Sequence, residues 1–168
     1  FDLLRDTERA RAYDAAISRR VQQLVTKKAK LNLAQKGTSN RSTKTHVVSL
    51  LDIGAGSGLL SMMAARAGAD KVVAAEWHGD LATAAGRNIA ANGLSNKVTV
   101  ASGDVAKLQR GKQGVPIDGF DVAVVDLFDA GFTGDHALWM LEQARKNVLG
   151  TDAAVIPAAA TMYVMGIE

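Results

Sequence analysis

Leu51-Asp52-Ile53-Gly54-Ala55-Gly56-Ser57-Gly58-Leu59-Leu60-Ser61 is the stretch on which the fold turns. The apolar run from Val47 to Ile53 leading into it has the character of a strand buried on both faces. It breaks into alternating glycines, after which Leu59, Leu60, Met63, Ala64 and Ala67 recur at helical spacing. Glycines let a backbone turn sharply and come close to a ligand, and the helix that follows offers free N–H groups at its start. Strand, glycine loop and helix together predict a ligand-binding crossover.

The spacing narrows the ligand. A dinucleotide fingerprint reads G-x-G-x-x-G, whereas Leu59 occupies the place of its third glycine and the pattern here is G-x-G-x-G. Asp52 stands just before the first glycine, where its charge would repel a pyrophosphate. A cofactor with a cationic amino-acid end and no phosphate fits better, which describes S-adenosylmethionine. Asp52, Gly54, Gly56, Gly58 and Leu59 are therefore candidate cofactor residues, and a dehydrogenase is disfavoured.

At 168 residues the chain is sized for one domain, and its 48% apolar content is ordinary for a globular protein. No apolar run reaches membrane-spanning length and no stretch has the pattern of a signal peptide. There is no cysteine, hence neither a disulfide framework nor a cysteine zinc site, which agrees with an intracellular protein of cytoplasm or nucleus. No metal cluster stands out. The net charge of +3 is partly local, with Lys27, Lys28, Lys30, Lys36, Arg41 and Lys44 in one stretch. That stretch reads as a solvated helix end and loop, with contact to an acidic partner as the alternative. Nothing points to specific nucleic-acid binding.

Around the loop, strands and helices alternate. Asp6 and Thr7 can cap a helix in which Ala10, Tyr13, Ile17, Val21 and Leu24 repeat at three- and four-residue intervals. Residues 1–34 form this helical segment, 35–45 a flexible polar loop, and 46–168 the cofactor-binding domain. Within that domain a helix stops at Gly68, followed by a strand (Lys71 to Glu76), a helix (Asp80 to Asn92) and a strand (Lys97 to Ser102). Phe120 to Asp126 makes the fourth strand and Asp135 to Leu149 a helix, while Ala153 to Ile156 and Thr161 to Ile167 look like late strands. The order predicts an α/β, Rossmann-like, doubly wound and mostly parallel sheet with helices on both faces.

Ligands of such sheets gather at the carboxyl ends of the strands, and acids sit at four of them: Asp52, Glu76, Asp104 and Asp126. Glu76 ends a doubly buried strand at the βαβ distance from Gly54, where a carboxylate can accept from both ribose hydroxyls. Gly103, Asp104 and Val105 fall where an adenine edge should rest, and either the acid or the Val105 N–H can meet its amine. Trp77 either packs on adenine or serves as a partly buried structural residue.

The stretch from Leu51 through Met62-Met63-Ala64-Ala65-Arg66-Ala67-Gly68-Ala69 strongly resembles the first motif of protein arginine N-methyltransferases, most like the monomethylating type III, seventh-member branch. Asp6-Thr7-Glu8-Arg9 with Tyr13 is similar to that family's N-terminal helix. Asp126-Leu127-Phe128-Asp129 through Gly134-Asp135-His136-Ala137-Leu138 resembles its double-acid hairpin, and Ile156-Pro157 with Ala160-Thr161-Met162-Tyr163-Val164 its exit from the cofactor domain. The resemblance implies a class I methyltransferase fold, S-adenosylmethionine as cofactor, S-adenosylhomocysteine as product, and protein monomethylation at arginine. It implies Arg9 as the clamp for the methionyl carboxylate, and Asp126, Asp135 and Asp129 as the catalytic acids. It also implies arginine-rich substrates, RNA-binding proteins among them, and a homodimer or tandem-module pseudo-dimer. A β-barrel that follows the cofactor domain in the family lies beyond this sequence.

The chemistry asked of those acids is positional. A methyl on sulfonium is already electrophilic, so two carboxylates need only hold the guanidinium flat and leave one nitrogen free to attack. The family carries glutamate at both hairpin positions, whereas this chain has Asp126 and Asp135, each shorter by roughly 1.3 Å. A shifted backbone, a slower enzyme or a catalytically silent partner subunit would each accommodate the change. A methyltransferase acting on RNA or a small molecule is the other alternative, although a neutral substrate has no use for a row of acids. His136, beside Asp135, either tunes that acid or merely opens the helix.

Overall fold

The computed structural model describes residues 5–36, 45–129 and 136–166. A long helix α1 (Thr7–Lys36) precedes a βα alternation: β1 (Ser49–Ile53), α2 (Leu59–Ala67), β2 (Lys71–Glu76), α3 (Gly79–Ala91), β3 (Val98–Ser102), β4 (Phe120–Val125), α4 (Ala137–Asn147) and β5 (Leu149–Ile156). A short 3-10 turn (Val105–Lys107) links β3 towards β4. All strand pairs are parallel and the sheet order is β3-β2-β1-β4-β5. The chain thus runs outward from β1 to one edge, then returns to build the other side, which puts the topological switch between β1 and β4.

Side chains alternate across the sheet and divide the core into two layers. Leu50, Val72, Ala74, Val122 and Val124 face Ile17, Val21 and Leu24 of α1, Leu60 and Ala64 of α2, and Ala85 and Ile89 of α3. Leu51, Ile53, Val73, Ala75, Ala123 and Val125 face Ala137 and Ala144 of α4 together with Val105 and Val115. Strands buried on both faces are why the sequence shows apolar runs instead of alternation.

Helix ends follow local chemistry. Asp6 accepts the Arg9 N–H at 2.9 Å and caps α1. α2 ends at Gly68, whose left-handed backbone (φ 111°) lets its N–H return to the last turn. The positively charged end of α1 extends through Lys36, and residues 37–44 of the expected polar loop lie outside the described residues.

Two expected boundaries move. α4 stops at Asn147 and β5 starts at Leu149, four residues earlier than the sequence suggests, because Leu149 pairs with Phe120 ahead of an irregularity in the ladder. Residues 161–166 carry no strand, although Thr161 to Ile167 was expected to be one. Met162, Tyr163, Val164 and Met165 are exposed, and no described strand pairs with this segment to satisfy a ladder.

Candidate active site

The register of the three central strands sets the site. Ile53 lies beside Ala75 on one side and Val125 on the other. The next residue of each strand is Gly54, Glu76 and Asp126, so an acid flanks the glycine loop on either side. The two-residue period turns Glu76 and Asp126 towards the α1–α2 layer, the same side as Asp52. Above the strand ends opens a cavity of about 1000 Å³, lined by Gly54, Gly56, Glu76, Trp77, His78, Leu81, Gly103, Val105, Asp126, Leu127, His136, Trp139 and Met140 among others.

Glu76 is 5% exposed. One carboxylate oxygen accepts the Gly56 N–H at 2.7 Å and the other the His78 N–H at 2.9 Å. These bonds fix the carboxylate and tie the glycine loop to β2, and each oxygen retains a further lone pair for a ligand. Gly54 adopts φ +74°, and a Cβ there would stand 2.6 Å from the Leu127 side chain. Its need for glycine is therefore packing under the loop. At Gly56 and Gly103 a Cβ would meet no close neighbour and would project into free space beside the cavity.

Other expected cofactor residues stand back from the cavity. Asp52 is 1% exposed, accepts the Ser61 hydroxyl at 2.7 Å and does not line the cavity. Burial pushes its carboxyl up to about 7, against the opposing pull of Ser61. It braces the glycine loop onto α2. Gly58, left-handed at φ +83°, and Leu59 start α2 and are not among the lining residues, with Gly58 packed near Ile89. Asp104 accepts the Ala106 N–H at 2.8 Å and caps the 3-10 turn, leaving Gly103 and Val105 to face the cavity.

Arg9 meets Asp126 directly. Its Nε donates to Asp126 Oδ1 at 2.9 Å and its Nη2 donates to the same oxygen. That hydrogen bond raises the guanidinium pKa further above its usual value, opposed by burial. Expected as the clamp for the methionyl carboxylate, Arg9 is paired with Asp126 and is not among the residues that line the cavity. One turn along α1, the Tyr13 hydroxyl donates to the Val125 carbonyl at 2.9 Å. Its burial, and next the Asp126 charge, push the phenol pKa well up, so it stays a donor. Asp129 is exposed and is not among the lining residues. Asp135 lies outside the described residues.

Leu81, Trp139 and Met140 belong to the cavity and were not singled out from sequence. A signal existed for Trp139. It falls off the buried stripe of α4 that Ala137 and Ala144 define, and it is one of only two tryptophans in the chain.

A parallel sheet of order 3-2-1-4-5, a glycine loop at its central strand and acids on both flanks define a class I methyltransferase domain. The model of the family described as ribosomal protein L11 methyltransferase (PrmA) matches residues 30–125, and the chain belongs to that family. It is similar to proteins named protein arginine N-methyltransferase 7. The one from Anopheles gambiae is 36% identical over 167 residues, covering 99% of this chain and 22% of the relative. That of Rattus norvegicus is 37% identical over 119 residues, covering 71% of this chain and 17% of the relative. The chain thus spans about a fifth of the length of these curated relatives. Among solved structures it resembles the PRMT1 enzyme–prozyme heterotetrameric complex with AdoHcy of Trypanosoma brucei, with TM-score 0.69, 25% identity, and coverage of 92% of this chain and 40% of that one. Protein arginine methyltransferase 10 of Arabidopsis thaliana gives TM-score 0.58 and 26% identity over 66% of this chain and 30% of its own.

Proposed function

We propose that this domain binds S-adenosylmethionine and that the protein containing it methylates arginine side chains in proteins, adding one methyl group. The observation that carries this is the pair of acids one strand away on each side of the glycine loop, both in the wall of one cavity.

The residues suit the cofactor. Glu76 keeps acceptor capacity for two ribose hydroxyls, and Gly56 and Gly103 leave open the space that a Cβ would take. When bound, S-adenosylmethionine supplies a methyl group on a positively charged sulfur. Gly103 and Val105, which would border the base, follow β3, and Asp126 follows β4 on the other side of β1; all three line the cavity. Asp126 there serves a guanidinium. Arg9 takes both its bonds on Oδ1, so Oδ2 can accept an N–H of the substrate and draw charge to that side. Arg9 fixes the carboxylate, and its remaining N–H groups are within the same charged cluster for an anionic cofactor end.

Names of the relatives and the AdoHcy of the Trypanosoma brucei complex support this reading. Arginine-rich protein substrates, assembly with a second subunit or module, and residence in cytoplasm or nucleus belong to the same proposal. The heterotetramer of that neighbour supports the assembly.

The test is mass spectrometry of an Arg/Gly-rich peptide incubated with the full-length protein and methyl-labelled cofactor. Monomethylarginine alone is the expected product. Dimethylarginine would overturn the product class. Label confined to lysine or RNA would overturn the function.

A further inference from the structure

We infer that His136 is the group that receives the proton an arginine loses when it is methylated. This rests on the arginine methylation proposed above. The need for such a group is a matter of balance. A guanidinium nitrogen forms a bond to the methyl carbon, the carbon–sulfur bond breaks, and its electron pair stays on sulfur. The methylated nitrogen then releases one proton to a neighbouring base, which leaves the product with its single positive charge. A neutral imidazole suits that step, since it accepts a hydrogen bond from an N–H and exchanges protons near neutral pH.

The titratable side chains that line the cavity are Glu76, His78, Asp126 and His136. Both oxygens of Glu76 are bonded to backbone N–H groups, and Asp126 carries Arg9 on Oδ1. That leaves the two imidazoles. His78 precedes α3, which packs on β2 and β3, and its backbone N–H is tied to Glu76, the acid expected at the cofactor sugar. His136 precedes α4, which packs on β5 and on the 3-10 turn. β5 pairs with β4, the strand that leads to Asp126. His136 therefore opens a helix built on the Asp126 half of the sheet.

Its backbone points the same way. His136 is left-handed at φ 58° and ψ 15°, a positive φ that among the described non-glycine residues only Gln113 shares. A side chain is strained there and glycine is not. The helix takes nothing from the imidazole in return, because it makes no capping hydrogen bond, and the residue is exposed in the cavity wall. A strained position that carries an imidazole where glycine would fit freely marks the imidazole as the part in use.

The experiment compares full-length wild type with His136→Gly, a change that removes the imidazole and suits the left-handed backbone, so the variant should fold. Single-turnover methylation of an arginine peptide by protein loaded with S-adenosylmethionine is expected to slow about 10²-fold, the usual worth of a positioned base, and free imidazole in the buffer to restore part of the rate. S-adenosylhomocysteine should bind both proteins equally by calorimetry. In the NMR spectrum of the S-adenosylhomocysteine complex with carbon-13-labelled histidine, the arginine peptide should shift one resonance that His136→Gly lacks. An unchanged rate in His136→Gly, a slowed rate that imidazole does not rescue, or a His136 resonance that the peptide leaves in place overturns the inference alone. So does weakened S-adenosylhomocysteine binding in the variant, which would give His136 to the cofactor. Wild type that methylates no arginine overturns this inference and the proposed function together.

Discussion

Arg9 and Asp126, 117 residues apart in the chain, meet at one carboxylate oxygen, with two guanidinium nitrogens converging on Oδ1. One partner belongs to the helix that precedes the sheet and the other to the end of a central strand. The contact therefore joins α1 to the place where chemistry is expected. It leaves the second oxygen of Asp126 as the side from which a substrate can be held.

Arg9→Lys keeps the charge and loses the fork, so the carboxylate can swing. We expect kcat/KM for an arginine peptide to fall about 10-fold with lysine and about 10²-fold with Arg9→Ala. Steady-state kinetics check this. Equal activity in all three proteins would show that Asp126 needs no such support.

Glu76→Gln puts an amide where two backbone N–H groups now converge on a carboxylate. The amide NH2 then faces a donor, and the glycine loop loses one of its ties to β2. S-adenosylhomocysteine should bind about 10- to 100-fold more weakly, from the worth of hydrogen bonds to a charged group. The fold should lose about 1–3 kcal/mol. Calorimetry and urea denaturation measure the two separately.

Asp52 makes stability depend on pH. Its carboxyl lies at about 7 in the fold against an ordinary 3.8, so between those values the folded chain keeps a proton that the unfolded chain has released. Stability is then fully present below about pH 4, falls by about 1.4 kcal/mol per unit as pH rises, and levels above about pH 7. Asp52→Asn, which preserves an acceptor for Ser61, should flatten the decline between pH 5 and 7 in denaturant titrations. A variant with the wild-type slope would locate the dependence elsewhere.

Gly54→Ala confronts both a left-handed backbone and the Leu127 side chain. We expect a loss of about 1–3 kcal/mol. Gly54→Ala with Leu127→Ala should be more stable than the sum of the two single changes implies, since the second makes room for the first. Strict additivity in a double-mutant cycle would show that backbone strain alone sets the cost.

Much of this was written locally in the sequence. β2 and Glu76 were readable because a doubly buried strand is a continuous apolar run, and the acid that ends it stands out against that run. Helix stops at Gly68 and at Asn92-Gly93 were readable for the same local reason. What escaped is what tertiary packing decides. Arg9 looks like any exposed arginine on an amphipathic helix until β4 brings Asp126 beside it. Asp104 and Asp52 stand out as acids near strand ends, but that one accepts the Ala106 N–H and the other the Ser61 hydroxyl is decided by packing. Tyr163 and Val164 have strand propensity, but a strand needs a neighbour, and no described one pairs with them.

The shared level of Glu76 and Asp126 makes the sheet a ruler. With β1 between β2 and β4, the two acids are held two strand spacings apart, about 9.6 Å. Ladder hydrogen bonds set that backbone interval, and rotamer changes only move the carboxylates about it. A cofactor sugar at Glu76 and a substrate guanidinium at Asp126 must be separated to match. A one-residue slip of β4 would turn Asp126 into the opposite layer. The distance between sugar and acceptor subsites is thus written into the strand register before any side chain touches a ligand.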